Sequence, residues 1–165
     1  MQGCVSTERV LKNDFQPEQE YAYLYGNLKV EKNSSYFFAE TEIALTFQRL
    51  QDGKKTYISF DSKSPLMVVK IKPDGYRLKG FSYLDHYNVI SGSRNFNENI
   101  YFVAEPYTLY YIGDYDGYAG WTRGYMSESW NFEVKSMKDN YIITTSNFLS
   151  RFPKFRTLNS VNIFK

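Results

Sequence analysis

The stretch from Ile100 to Trp121 constrains the fold more than any other part of the chain. Apolar and polar residues alternate in its first half, and that two-residue period is typical of a half-buried β-strand. Glu105-Pro106 separates two such runs, and a segment rich in Tyr and Gly begins at Gly113. The first half therefore predicts a β-hairpin, and the second half predicts a Tyr/Gly-rich surface loop.

The same pattern of short strands and turns continues through most of the chain. Asp52-Gly53 and Pro73-Asp74-Gly75 are typical of hairpin turns, because Gly supplies positive φ and Pro fixes the first turn residue. The chain has 16 Tyr and 13 Phe, and such rings pack well on a pleated surface. The polar run 85–99 is expected to be a surface loop, and Val161 to Phe164 is expected to add an edge strand.

The C-terminal region is the one place where a helix is expected. Phe148, Leu149 and Phe152 have helical spacing and Pro153 follows them, which predicts a short helix over 142–152. Because the segment 141–145 is rich in β-branched residues, a strand there is the alternative. The fold class is therefore mainly β: an antiparallel β-sandwich of about seven to nine strands with one short C-terminal helix. A lipocalin-like β-barrel is the alternative.

Composition limits the classes of protein that this chain can belong to. Its 165 residues suffice for one domain with its own core. Lys and Arg total 20 against 18 Asp and Glu, without the basic stripe that a nucleic-acid partner requires, so we expect no nucleic-acid binding. The single cysteine cannot form an internal disulfide, and the core must be held together by packing.

The N-terminus carries the one cysteine, Cys4, directly after Gly3 and before a polar stretch without periodicity. This short pattern resembles the end of a bacterial lipoprotein signal peptide, in which Cys4 would be the lipidated first residue of the mature protein. We therefore expect residues 1–19 to be a lipoprotein-type tether and residues 20–165 to be a single β-sandwich domain. The alternative is an exposed free thiol near a frayed chain end.

Five short motifs in the chain together resemble a broad group of bacterial envelope lipoproteins. Their domains are prealbumin-like or carboxypeptidase-regulatory-like β-sandwiches, and the resemblance spans about residues 21–153. The motifs are, in order, Tyr23-x-Tyr25-Gly26-x-Leu28, Ile71-x-Pro73-x-Gly75-Tyr76, Phe102-Val103-x-x-Pro106, Tyr111-Ile112-Gly113 and Asp139-Asn140. Pro106-Tyr107, where the pattern favours Gly, and the inserted Asp74 depart from it. The resemblance implies a lipidated envelope protein and carries no catalytic residues.

Residue patterns for catalysis or metal binding are weak. The only histidine, His86, has no partner at triad spacing, so we expect no catalytic residues and no enzymatic activity. Glu40 and Glu42 are two residues apart, so we expect both to lie on the solvent-facing side of an amphipathic strand. Asp114-x-Asp116 resembles the start of a calcium loop but lacks the further acidic ligands, so we expect neither a metal nor a cofactor.

The best candidate for a binding site is the Tyr/Gly-rich segment itself. Its candidate residues are Tyr115, Tyr118, Trp121, Arg123 and Tyr125. Aromatic and Arg side chains are typical of binding hot spots, and sugar rings stack on such aromatics. The alternative is that these rings fold back onto the end of the sandwich as a lid.

The functional expectation is a non-enzymatic lipoprotein of the bacterial cell envelope, at the outer membrane or cell surface. It would be anchored to the membrane through a lipid on Cys4, and its aromatic loop would bind a protein or a glycan. The alternative is a carrier for a small apolar ligand held in the cavity of a β-barrel.

Overall fold

The computed structural model describes residues 13–32, 42–84, 90–95, 100–123, 125 and 128–164. These residues form ten β-strands, one α-helix and one short 3-10 helix. In chain order they are β1 (Ala22–Lys32), β2 (Glu42–Arg49), β3 (Lys55–Ser59), β4 (Leu66–Ile71), β5 (Gly75–Leu84), β6 (Ile90–Asn95), β7 (Tyr101–Val103), β8 (Thr108–Arg123), β9 (Glu128–Lys138), α1 (Tyr141–Arg151), the 3-10 helix (Pro153–Thr157) and β10 (Asn159–Asn162).

The strands form two five-stranded sheets, which confirms the predicted mainly-β sandwich with one short helix. Sheet A has the order β10-β8-β1-β4, and β9 also pairs with β8. Sheet B has the order β3-β2-β5-β6, and β7 also pairs with β5. The helix begins at Tyr141 and ends at Arg151, one residue earlier at each end than predicted.

Sheet A differs from the predicted antiparallel arrangement. Strand β8 lies parallel to both β1 and β10, whereas the pairs of β1 with β4 and of β8 with β9 are antiparallel. All recorded pairs of sheet B are antiparallel. The expected loop 85–99 also contains β6, which pairs with β5. Two parallel strands cannot be joined by a short turn, so no turn motif in the sequence indicates that they pair.

Aromatic rings fill much of the space between the two sheets. Phe81 of β5 lies 5.1 Å from Phe132 of β9 between ring centroids, and Phe60 lies 5.6 Å from the same Phe132 ring. Tyr115 of β8 meets Phe60 edge to face at 6.2 Å. Such edge-to-face pairs add stabilisation beyond the burial of apolar area. The rings therefore join the two sheets into one core.

The outer face of sheet A has a second core beneath α1. Tyr23 and Tyr25 of β1 point to this face, since they alternate with inward-facing Ala22 and Leu24. Phe148 of α1 lies 4.6 Å from the Tyr25 ring. The amphipathic spacing that predicted the helix therefore corresponds to real burial against this face.

A β-bulge at the centre of sheet A changes which residues of β8 face the core. Tyr25 pairs with Tyr111, but Asn27 pairs with Asp114, so β8 contains one extra residue at this point. Gly113 adopts a φ of 108°, which favours glycine. A Cβ atom on Gly26 would lie 2.5 Å from the Gly113 carbonyl oxygen. Glycine at position 26 therefore allows the two backbones to approach each other.

The segment 13–19, which the sequence assigned to the tether, contacts the domain. The Phe15 ring stacks on Phe155 at 6.2 Å, and Pro17 is buried. Glu18 accepts a hydrogen bond from Lys70 Nζ at 2.9 Å. Residues 1–12 of the predicted tether, including Cys4, lie outside the described residues. In the described part of the chain, no helix combines the length and the apolar character needed to cross a bilayer.

Replacement of Gly26 tests whether the close backbone approach supports the fold. We expect Gly26→Ala to lower the free energy of unfolding by about 2 kcal/mol, because the added methyl group meets backbone atoms that cannot rotate away. Urea unfolding followed by circular dichroism measures this change.

Gly75→Ala is the matched control for this substitution. Its Cβ atom would meet only side-chain atoms, Leu50 Cδ1 at 3.2 Å and the Tyr101 hydroxyl at 3.4 Å. We expect this control to change stability by at most about 0.5 kcal/mol. Equal destabilisation by the two substitutions would contradict the role given to Gly26.

Candidate functional site

The Tyr/Gly-rich segment is a β-strand, so its prediction as a loop was wrong. It forms the second half of β8, and its ladder with β9 runs from Asp114 opposite Lys138 to Arg123 opposite Glu128. Gly117 serves packing, since a Cβ atom at this position would lie 2.7 Å from the Phe132 ring. A sequence reading that treats Gly as a loop signal cannot recognise a glycine that makes room for a neighbouring ring.

Tyr115, the first candidate binding residue, lies in the core between the sheets. Its side chain is buried, and its hydroxyl donates a hydrogen bond to the carbonyl oxygen of Ile112 at 3.0 Å. Its ring also meets Phe164 edge to face at 5.9 Å. The side chain therefore stabilises the core and does not belong to a solvent-facing surface.

Two other candidates lie where a partner can reach them. Tyr118 is partly exposed, and Lys135 Nζ lies 4.4 Å from its ring centroid, a cation–π contact across the hairpin. Tyr125 is fully exposed at the connection between β8 and β9. The backbones of Trp121 and Arg123 belong to β8, and Trp121 pairs with Trp130. The side chains of Trp121 and Arg123 are outside the described part of the structure.

A polar cluster connects β8 to the beginning of α1. Asp114 Oδ2 accepts hydrogen bonds from Thr144 Oγ1 at 2.8 Å and from Asn140 Nδ2 at 3.1 Å. Asn140 is the N-cap residue, and its own side chain makes no capping hydrogen bond. A carboxylate at this position also interacts favourably with the positive end of the helix dipole. Asp114 therefore fixes α1 to sheet A.

Tyr111 belongs to the same cluster. Its hydroxyl accepts a hydrogen bond from the backbone N–H of Asn140 at 3.1 Å and donates one to the carbonyl oxygen of Lys138 at 3.3 Å. Burial raises the pKa of Tyr111 well above its usual value, and the negative charge of Asp114 acts in the same direction. The neutral phenol thus remains available to hold the beginning of the helix.

The two carboxylates of the Asp114-x-Asp116 pattern have separate environments. Asp114 contacts the helix, while Asp116 is exposed and accepts a hydrogen bond from Ser136 Oγ at 2.8 Å. Oδ1 of Asp114 is buried and has no hydrogen-bond partner among the described residues. No group of three or more His, Cys, Asp or Glu side chains is arranged for metal binding in the described ranges. His86 and Glu40 lie outside those ranges.

A second exposed apolar surface lies on the outer face of sheet B, and the sequence did not reveal it. Leu50, Tyr101 and Val103 are each about half-exposed. The side chains of Leu50 and Tyr101 both lie beside the position where a Cβ atom of residue 75 would be, and Arg77 pairs with Tyr101. Residues 101–104 are all apolar, so alternation alone cannot tell which pair faces solvent. We call Leu50, Tyr101 and Val103 the sheet B patch.

In the described residues, the fold is a two-sheet, mainly-β one with a helix packed on sheet A, an exposed Tyr125 on the β8–β9 hairpin, and the sheet B patch. Comparison of the chain with models of known protein families, with curated protein sequences and with solved structures gave no significant match. The resemblance to envelope lipoproteins therefore stays a prediction.

Replacement of Asp114 tests the role of the polar cluster. We expect Asp114→Ala to lower the free energy of unfolding by about 2 kcal/mol, because Thr144 Oγ1 and Asn140 Nδ2 lose their acceptor at a partly buried position. Asp116→Ala is the matched control on the same strand and face, with an expected change within about 0.5 kcal/mol. Chemical unfolding of both variants measures the difference, and a smaller effect at Asp114 than at Asp116 would refute the assignment.

Proposed function

We propose that the protein is a non-enzymatic lipoprotein of the bacterial cell envelope. A lipid on Cys4 anchors it to the membrane, and the β8–β9 hairpin binds a protein or a glycan. The observation that carries the binding proposal is the full exposure of Tyr125 at the hairpin connection, with a partly exposed Tyr118 further back on β8. A large aromatic side chain in water favours a partner that covers it, because Tyr provides wide contact area with few rotatable bonds.

The geometry of the hairpin supports this choice of surface. The recorded pairing of β8 with β1 ends at Ala119, whereas its pairing with β9 continues to Arg123. The connection that carries Tyr125 is therefore held by a regular two-stranded ladder. A rigid support lowers the entropy lost when a partner orders the contact residues.

The alternative, a carrier for a small apolar molecule, has less support. Such a carrier needs an apolar cavity of about 300 Å3 or more. The rings of Phe60, Phe81 and Phe132 contact one another between the sheets, at centroid distances of 5.1 to 5.8 Å. These three rings thus pack against one another and not around a ligand-sized space.

Metabolic labelling tests the anchor. Cells that express the gene from its own locus are grown with a palmitate analogue, and the protein is compared with its Cys4→Ala variant. We expect label on the native chain and none on the variant, since Cys4 is the only cysteine. Equal labelling of the two chains, or no label on the native one, would remove the anchor from the proposal.

Site-specific photo-crosslinking in cells tests the binding surface. A photoreactive phenylalanine analogue is placed at Tyr125 in one variant and at Tyr101, in the sheet B patch, in the other. Both positions are exposed, so neither substitution should disturb folding. We expect a discrete adduct at position 125 and none at 101. An adduct formed only at 101 would move the partner to sheet B and contradict the role of the hairpin.

A further inference from the structure

The N-terminal segment 13–19, here called the strap, lies on the outer face of sheet A. The Phe15 ring stacks on Phe155 of the 3-10 helix, with 6.2 Å between the ring centroids. The same ring meets Tyr23 of β1 edge to face, also at 6.2 Å. Phe155 and Tyr23 are themselves in contact at 5.0 Å, and both are buried. The two rings therefore form one continuous surface under Phe15.

That surface continues from Tyr23 to Lys70 of β4. The two residues are directly opposite each other in the β1–β4 ladder, so their side chains lie on the same face of sheet A. The Glu18 carboxylate of the strap pairs with Lys70 Nζ at 2.9 Å. The backbone N–H of Glu18 donates a hydrogen bond to the Tyr23 hydroxyl at 2.8 Å. The strap therefore occupies a groove with aromatic rings at one end and a cation at the other.

The strap is held more by a few side chains than by its backbone. Only Pro17 of the strap is buried, and none of the strap residues belongs to a strand or a helix. A segment with few buried contacts and no ladder of backbone hydrogen bonds opens at a lower free energy than the core of the fold. The strap can therefore leave its groove while the two sheets stay intact.

A turn at the end of the strap supplies a hinge. The backbone N–H of Tyr21 donates a hydrogen bond to the carbonyl oxygen of Glu18 at 3.4 Å, which is long for such a bond. Gln19 and Glu20, the two central residues of this turn, are exposed. Their side chains therefore do not oppose the opening of the turn.

Opening of the strap removes a carboxylate from a nearly buried cation. The Lys70 side chain is only 11% exposed, and its Nζ lies 4.3 Å from the centroid of the Tyr21 ring. Loss of a paired carboxylate destabilises a cation in such surroundings. The open groove therefore favours a segment that carries an aromatic ring and a carboxylate at the spacing of Phe15 and Glu18. A second copy of this chain carries that same segment.

We propose that the groove under the strap is a docking site for the strap of a second copy of this chain. In the exchanged pair, each strap lies in the groove of the other copy and makes there the contacts that it makes within one chain. Because the contacts are the same, exchange costs little beyond association itself. A single chain holds its own strap at a millimolar effective concentration, so the exchanged pair forms where copies are crowded. This surface is separate from the β8–β9 hairpin, and the inference does not depend on the proposed function.

Two variants of the full chain with complementary charges test the exchange. Glu18→Lys places a cation of the strap against Lys70, and Lys70→Glu places a carboxylate of the groove against Glu18. Each variant alone therefore repels its own strap. In a mixture of the two, exchanged straps replace both like-charge contacts by opposite-charge contacts. We expect native mass spectrometry to show a mixed dimer at a level about tenfold or more above the dimer of either variant alone.

A crosslink shows whether the straps are exchanged in that mixed dimer. The Glu18→Lys chain carries a photoreactive phenylalanine analogue in place of Phe15, and the Lys70→Glu chain is labelled with heavy nitrogen. We expect adducts between the analogue and heavy peptides that contain Tyr23 or Phe155. A mixed dimer whose adducts contain only light peptides would overturn the proposal, because the two copies then meet through another surface.

Two controls separate the exchange from general effects of charge. Lys29→Glu and Glu31→Lys divide an exposed ion pair of β1 in the same way, and their mixture should stay monomeric. Equal dimer formation in this mixture would refute the exchange. The double variant Glu18→Lys with Lys70→Glu restores an opposite-charge pair within one chain, so it should be monomeric and show that both positions tolerate the changed charge.

A hinge variant leaves the strap and the groove unchanged and so does not depend on the folding of the charge variants. Deletion of Gln19 and Glu20 removes the turn, so the strap no longer reaches the groove of its own chain but still reaches that of a second copy. We expect this variant to be dimeric in analytical ultracentrifugation at concentrations at which the native chain is monomeric. A monomeric hinge variant would overturn the proposal.

Discussion

The close approach of Gly26 and Gly113 is the constraint on which sheet A depends. The extra residue of β8 at this point reverses which alternate side chains face the core. Tyr110 and Ile112 face inwards before it, and Tyr115 faces inwards after it. Without the bulge, the same alternation would direct Asp114 into the apolar core and Tyr115 out of it. One backbone irregularity therefore sets the environment of both side chains.

The position of α1 follows from that irregularity. Because Asp114 emerges on the outer face, its carboxylate can accept hydrogen bonds from Asn140 and Thr144. Tyr111, two residues before the bulge, holds the same turn of the helix through its hydroxyl. Phe148, one helical turn after Thr144, packs on Tyr25. Polar contacts fix the beginning of the helix, and aromatic packing fixes its centre.

Local patterns in the sequence predicted much of the fold and little of the site. Residues close together in the sequence determine the mainly-β class, the Asp52-Gly53 hairpin and the short helix, and all three are present in the structure. The parallel pairing of β1 with β8 depends on residues more than 80 positions apart. The glycines of β8 suggested a loop because their packing partners, such as Phe132, lie on another strand.

The shared edge of β8 has a consequence for the order in which the domain can form. Strand β10 occupies that edge beside residues 108–111, and β9 occupies it beside residues 114–123. Asn159–Asn162 follows β9, α1 and the 3-10 helix along the chain, so the edge of β8 beside residues 108–111 stays unpaired until those segments have been made. Pairings between distant segments also close slowly, because loop entropy opposes them. One end of the β8 edge is therefore completed only by a segment that comes after the helix in the chain.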